Sequence, residues 1–405
     1  MKGYFRRRGC TCKKKRCTCG AKWSFTVDIG INPATGERKQ KTVSGFDTKA
    51  EAEEVCAALI LEIKSGTYIQ ETNQLFKDFA QEWLKIYQNT NSVKISTVRV
   101  RQHEINKLLP FFAHLKIRDI TKKKYQEALN ALRDREGLAD NTISGVHATG
   151  RMIFRKALEY DLIKKDPTEF ARVSRAPKTV EEIETEIEIP KYMEKKELAQ
   201  FLDTAKTKGL DQDHITFVTL AYTGMRTGEL CALKWRDIDT DTGTISITKT
   251  YYNPRNNIID FKLLPPKTKR SKRVIEVDKF VLGELEKHKA MQNKIKMRKR
   301  DIYFDDGDFV LINTEKHPGY PLYIKKIENR MRRLLKLSGL DTNLTPHSLR
   351  HTHTSLLAEA GVDLPQIMDR LGHADDETTK LVYLHVTKTM RSEAAKKFSD
   401  LMKNL

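Results

Sequence analysis

The chain has 405 residues, of which 39% are hydrophobic and 32% charged, and its 74 Lys and Arg outnumber 54 Asp and Glu to give a formal charge of +20. That length suits about two or three domains, and an excess of that size favours a polyanionic partner, nucleic acid first. No apolar run approaches the ~20 residues that cross a bilayer. The basic start MKGYFRRRGC lacks the apolar stretch of a signal peptide, so a cytoplasmic protein of a bacterial cell, with reduced cysteines and no membrane partner, is expected.

Residues 1–22 hold nine basic side chains and no acidic one; Arg6, Arg7 and Arg8 are assigned to DNA. Four of the six cysteines, Cys10, Cys12, Cys17 and Cys19, fall in CTCKKKRCTC. In a reducing compartment such a cluster points to a metal site before disulfides. The pairs are CxC and not the CxxC of the common zinc signature, so structural zinc stands beside free or loosely structured thiols. WSFTVDIG, the turn NPATGE and RKQKTVSGF read as a hairpin. DTKAEAEEVCAALILEIKSG follows as a helix capped by Asp47 or Thr48 and ended by Gly66, with Val55, Ala58, Leu59 and Leu61 or Ile63 as its apolar stripe. Together these make a small β-sheet plus helix domain over residues 1–70. Cys56 and Cys231 lie in apolar helical patterns and read as core residues.

Residues 73–173 read as almost wholly helical, with Phe76, Phe79, Trp83 and Leu84 on one face of the first helix. Residues 174–190 carry five glutamates without apolar periodicity and read as a linker. Residues 191–405 are mixed. MEKKELAQFLDTA and HITFVTLAYTGMRTGELCALKW are helical; GTISITKTYY, NNIIDFKLLPP, SKRVIEVD and DFVLIN read as strands; helices continue to the end. The fold class is therefore multidomain: a small N-terminal sheet with a helix, an all-α domain, and a mixed, mainly α domain with a small β-sheet. Neither a Walker A loop nor a GxGxxG fingerprint occurs, so nucleotide-driven chemistry has no support.

Four stretches of the last domain can carry chemistry. In TGMRTGEL, Arg226 follows a Gly-marked bend and Glu229 comes three residues later. This is either a rigid arginine that grips a phosphate bidentately or an ion pair on a helix surface. PPKTKRSKRVI supplies Lys267, Lys269, Arg270, Lys272 and Arg273: a solvated turn or a DNA-backbone patch, or a turn from which Lys267 reaches an active site as proton donor. In LTPHSLRHTH, Thr345 and Pro346 start a helix that puts His347 and Arg350 on one face, with His351 sharing part of it. Zinc there would lack the Glu of HExxH and a third ligand, so an anionic phosphate fits better. Finally, a helix ends at Leu371-Gly372, His373 follows, and Tyr383 stands ten residues on, as a nucleophile or as an amphipathic core tyrosine.

In this order, over residues 191–395, the four stretches resemble the catalytic domain of the tyrosine recombinase (phage integrase) family. That family carries an Arg in TGxRxxEL, a hairpin Lys, HxxR, a His or Trp after LG, and a Tyr, matched here by Arg226, Lys267, His347, Arg350, His373 and Tyr383; Lys269 sits two residues from Lys267 on the same turn. The helical block resembles the family's core-binding domain. The N-terminal unit resembles the arm-binding domain of integrases from phages and conjugative elements, to which the four-cysteine insertion is an addition. The resemblance implies a site-specific recombinase that cleaves and rejoins DNA through a 3′-phosphotyrosine at Tyr383, without ATP, Mg²⁺ or any catalytic cofactor. It implies arginines and histidines around the phosphate and Lys267 as donor to the leaving 5′ oxygen, with Glu229 orienting Arg226 or its neighbours. It also implies double-stranded core and arm attachment sites, a homotetramer on DNA, an excisionase and a host DNA-bending protein. A C-terminal docking helix would use Met390, Ala394, Phe398 and Leu401 on a neighbouring protomer. Two rivals share parts of this. A type IB topoisomerase would need no arm-binding unit, and a non-catalytic DNA-binding regulator would not need the ordered Arg, Lys, HxxR, LGH and Tyr set.

Overall fold

A computed structural model describes residues 2–10, 12, 19–31, 36–65, 68, 73–90, 93–173, 191–266, 269–372, 377–387 and 402. The chain divides into two compact units, Met1–Pro177 and Lys178–Leu405.

The first unit opens with an antiparallel sheet in the order β1 (Tyr4–Arg7), β2 (Trp23–Ile31), β3 (Arg38–Phe46). Alternation along β2 turns Phe25 and Val27 inward, the period-2 pattern of a half-buried strand. Helix α1 (Lys49–Lys64) covers that face, capped by Thr48, whose side chain accepts from the Glu51 amide. Its apolar stripe keeps Leu59 of the expected one but otherwise shifts. Val55 is 40% and Leu61 69% exposed, while Ala52 and Cys56 are buried and Leu59 and Ile60 pack beside them on Phe25. The small side chains of Ala52 and Cys56 let the helix approach a sheet only three strands wide.

Four helices follow: α2 (Phe76–Thr90), α3 (Ile95–Phe112), α4 (Lys122–Asp134) and α5 (Asp140–Glu159). Phe76, Phe79, Trp83 and Leu84 are all buried, as their spacing requires. Phe76 meets Phe112 edge-on at 5.5 Å and stacks on Phe154 at 5.7 Å, and Phe154 meets Tyr125 edge-on at 5.7 Å. Aromatic pairs at these separations hold the four helices in one core.

The second unit is built on α6 (Lys195–Thr207), α7 (Asp213–Thr223), the short α8 (Thr227–Cys231), α9 (Lys279–Arg298), α10 (Ile324–Ser338), α11 (Pro346–Glu359) and α12 (Leu364–Leu371). A further helix, α13, runs over residues 377–387. One antiparallel sheet has the order β4 (Ile238–Asp239), β5 (Thr244–Ile247), β8 (Arg273–Glu276), and a hairpin pairs β6 (Thr250–Tyr252) with β7 (Lys262–Leu264). GTISITKTYY is thus two strands, and NNIIDFKLLPP forms a ladder only over its KLL. DFVLIN is not a strand among the described residues. Phe309 to Ile312 are each at most 2% exposed, and side chains and single bridges satisfy their backbone. The Gln212 amide accepts from Ile312 N at 3.0 Å and donates to Ile312 O at 2.8 Å, and Val310 N donates to Leu233 O. Neighbours meet this run at single bridges, Lys234 with Phe309 and Ile312 with Pro321, so no ladder forms. The linker expected at 174–190 lies outside the described residues.

Candidate active site

Helix α7 is buried along almost its whole length and stops at Gly224, whose φ of +61° is the left-handed conformation favoured at helix ends. Met225 and an extended Arg226 follow, Arg226 serving as N-cap of α8. Glu229, 4% exposed at its side chain, accepts from Arg226 N at 2.9 Å and from Arg226 Nη1 at 3.0 Å. The same carboxylate accepts from Arg273 Nη2 at 3.0 Å and Nη1 at 3.3 Å. Burial disfavours the charged form of Glu229, but the Arg273 hydrogen bonds and charge, joined by those of Arg226, hold its carboxyl below the ordinary value. The expected Arg226–Glu229 ion pair forms, with its carboxylate buried and not at the surface. Arg226 is anchored on a buried carboxylate and keeps its side chain 38% exposed.

Arg350 is 2% exposed. Its Nη1 donates to Gly224 O and its Nη2 to Leu371 O, both at 2.6 Å. These oxygens belong to the ends of α7 and α12, where helices leave carbonyls without intrahelical donors and carry partial negative charge. A forked guanidinium suits two such ends at once. One turn on, His353 sends Nδ1 to Ala221 O at 2.9 Å, and its Nε2 accepts from Arg370 Nε at 3.1 Å. Burial and then the Arg370 charge push this histidine down to about 3, so it is neutral at physiological pH.

His347 is exposed in the first turn of α11, its ring edge-on to His351 at 4.8 Å. The helix starts as expected, with Thr345 and Ser348 in a capping box and Pro346 in the first turn. Tyr383, on α13, is half-buried against a cluster of Ala358, Ile367, Leu371 and Val386. Leu371 thus belongs to the Tyr383 cluster through its side chain and holds Arg350 through its carbonyl. Arg226 follows the end of α7, Arg350 spans the ends of α7 and α12, and Tyr383 shares a cluster with Leu371 at the end of α12. Lys267 and His373 lie outside the described residues.

In the basic turn, Arg270 and Lys272 are exposed and Lys269 opens the short turn Lys269–Ser271. Arg273 does not belong with them as a DNA contact: its side chain is 5% exposed and it points from β8 at Glu229. Sequence reasoning missed this, and with it the partnership of His353 and Arg370; the only signals were the spacing of His353 three residues after Arg350 and the place of Arg370 just before LGH. In the N-terminal sheet Arg6 and Arg8 are exposed, and Arg7 lies over the Trp23 ring at 4.9 Å. The sulfurs of Cys10, Cys12 and Cys19 lie within 4.8 Å of one another, Cys10 and Cys19 at 3.7 Å; Cys17 lies outside the described residues. Three thiols at that spacing could supply three of the four ligands of a tetrahedral metal site.

Residues 191–390 match the phage integrase family, residues 75–133 the N-terminal SAM-like domain of phage integrases, and residues 13–63 an arm DNA-binding domain. Among curated relatives, the ICEBs1 integrase of Bacillus subtilis is 28% identical over 94% of this chain and 97% of its own. An integrase of a Staphylococcus phage is 28% identical over 81% of this chain and 93% of its own. The fold is that of the Tn1549 transposon integrase solved with a circular intermediate DNA, at a TM-score of 0.60 and 22% identity over 78% of this chain and 99% of that one. No helix among the described residues is long and apolar enough to cross a membrane.

Proposed function

This chain belongs to the phage integrase family of tyrosine recombinases, and from that premise we propose that Tyr383 is the nucleophile with which it integrates and excises a mobile element. The observation that carries the assignment is the arginine pair: Arg226 and Arg350 are each locked by buried acceptors, and Tyr383 packs on the helix end that holds one of them.

A phosphodiester repels nucleophiles by its own charge, and a tyrosine hydroxyl has a reference pKa of ~10, so placement must do much of the work. The Tyr383 oxygen attacks phosphorus, the bond to the 5′ oxygen breaks, and a 3′-phosphotyrosine forms. Arg226 and Arg350 hold non-bridging oxygens as charge builds, an arrangement already paid for by Glu229, Gly224 and Leu371; losing one such donor typically slows a reaction by about 10²–10³-fold. His347 helps take the tyrosine proton and, with His373, completes the cage. Lys267 protonates the leaving 5′ oxygen. Because the phosphate bond energy stays in the covalent link, attack by a new 5′ hydroxyl rejoins the strand without ATP.

Residues 1–70, 73–173 and 191–405 serve as arm-binding, core-binding and catalytic domains. The exposed Arg6, Arg8, Arg270 and Lys272 contact DNA. The arm-domain match favours an integrase over a topoisomerase of type IB. Lambda integrase has been solved as a tetramer on a Holliday junction; this chain forms a homotetramer likewise, with residues 390–401, outside the described residues, docking on a neighbour. An excisionase and a host DNA-bending protein set direction, in the bacterial cytoplasm where the DNA lies.

The deciding experiment is covalent trapping on a nicked duplex carrying the element's own junction, without divalent metal. A denaturation-resistant protein–DNA band is expected with wild type and absent with Tyr383→Phe; equal bands would place the nucleophile elsewhere. For the cysteines, we expect about one zinc per chain in the purified protein and less in Cys12→Ser. Metal analysis that finds no zinc in wild type removes the site.

A further inference from the structure

We propose that Arg370 and His353 are positioning residues that fix Arg350 in its phosphate-binding pose. This rests on the reading of Arg350 given above and extends it to two residues that touch no DNA.

The Arg350 guanidinium spans two helix ends, Gly224 O after α7 and Leu371 O at the end of α12. Such a clamp keeps its shape only while those ends keep their separation. Nothing in α7 or α12 alone guarantees that, because the last turn of a helix is its most easily frayed part. Arg370 supplies the tie. Its Nε donates to His353 Nε2 at 3.1 Å, its Nη2 to Glu276 O on β8 at 3.0 Å and, more weakly, to Tyr222 O on α7 at 3.4 Å. Its own carbonyl accepts from Arg273 Nε at 2.8 Å. His353 closes the circuit onto α7 through Ala221 O. One guanidinium and one imidazole thus join α7, α11, α12 and β8 beside the Arg350 clamp.

The donor pattern fixes the tautomer. Arginine has no acceptor, so His353 Nε2 must accept from Arg370, and the ring proton must sit on Nδ1, facing Ala221 O. An imidazolium would put a second positive charge against Arg370, with Arg350 and Arg273 also near, and would leave Arg370 Nε facing an N–H. The push of this histidine down to about 3 agrees with that geometry. His353 therefore does not exchange protons with substrate; it holds two helices in register.

The test measures single-turnover formation of the covalent complex on the nicked duplex, DNA affinity, and melting temperature, for Arg370→Ala, Arg350→Lys and the double variant. Arg370→Ala should slow cleavage about 10–100-fold, the size expected when a catalytic group drifts by about an ångström, with DNA affinity unchanged. In the Arg350→Lys background the same change should add less than about twofold, because sites acting through one another are non-additive. Should Arg370→Ala fold poorly, Arg370→Gln and His353→Phe take its place, and His353→Gln, which keeps a donor and an acceptor, should recover most of the rate lost in His353→Phe. Equal slowing in both backgrounds, or a rate loss that disappears when the melting temperature is restored by DNA binding, overturns the proposal. If Arg350→Lys alone leaves cleavage unslowed, the phosphate reading of Arg350 fails first, and visibly so, and the proposal fails with it.

Discussion

Glu229→Ala is expected to lower the unfolding free energy by about 3–5 kcal/mol, the usual result of removing one partner from a buried ion pair, and to slow strand cleavage by about 10²-fold. The stability loss comes mainly from Arg273. Its side chain is 5% exposed, and without the carboxylate both Nη groups lose their charged acceptor in a place water does not reach. The rate loss comes from Arg226, which is more exposed and would survive as a surface side chain, but without the bond that aims it. Glu229→Gln separates the two effects: it preserves shape and one acceptor, so it should destabilise less than Ala while still freeing Arg226. The pH dependence has a definite sign. The native carboxyl titrates below its ordinary value of 4.5, so the unfolded chain binds the proton more readily. The stability Glu229 adds is complete above about that ordinary value and is lost as pH falls through the depressed native one, so the gap between wild type and Glu229→Gln should narrow only in acid. Urea unfolding and single-turnover cleavage read both quantities. A Glu229→Ala protein as stable as wild type would show that Arg273 finds another partner.

How far the sequence could reach is seen in this same cluster. Arg226 and Arg350 were legible because each stands in a short motif whose spacing is itself the signal, and Phe76, Phe79, Trp83 and Leu84 because a helical stripe needs only local periodicity. Arg273 was not legible: five cations within seven residues look alike, and only the pleat of β8 sets Arg273 apart. Arg273 and Ile275 share its inner face, opposite Ile247 and Ile245, while Lys272 and Val274 face out. His353 and Arg370 are seventeen residues apart on different helices, and nothing local predicts that both finish at the end of α7. The stripe of α1 was misplaced for a related reason. Large apolar side chains were weighted over Ala52 and Cys56, yet closeness to the sheet selected the small ones. DFVLIN shows the remaining ambiguity: a short apolar run is equally a strand or a buried irregular segment, and the partner that decides here is the side chain of Gln212, a hundred residues away.

Gly224→Ala is expected to damage both the stability and the catalysis of the second unit. The backbone there has a φ of +61°, which costs an ordinary residue about 1–2 kcal/mol. A Cβ on Gly224 would also lie 2.6 Å from His353 Cδ2 and 2.8 Å from Leu371 Cδ2. Neither neighbour can swing aside: the His353 ring is held at both nitrogens, and Leu371 is fully buried. Overpacking of this kind costs roughly 1–3 kcal/mol, so a total of about 2–5 kcal/mol is expected. The consequence for catalysis follows from what else Gly224 does, since its carbonyl takes Arg350 Nη1. To relieve the clash the turn must move, and the acceptor moves with it, so cleavage should fall by about 10²-fold even at temperatures where the variant is folded. Gly372→Ala makes the internal comparison. It is also left-handed, but its Cβ would lie no closer than 3.1 Å to Arg270 O and Arg273 Cδ, so it should destabilise less and slow cleavage less. Equal rates for the two variants would mean that the Gly224 carbonyl does not set the position of Arg350, and that the arginine is held by Leu371 alone.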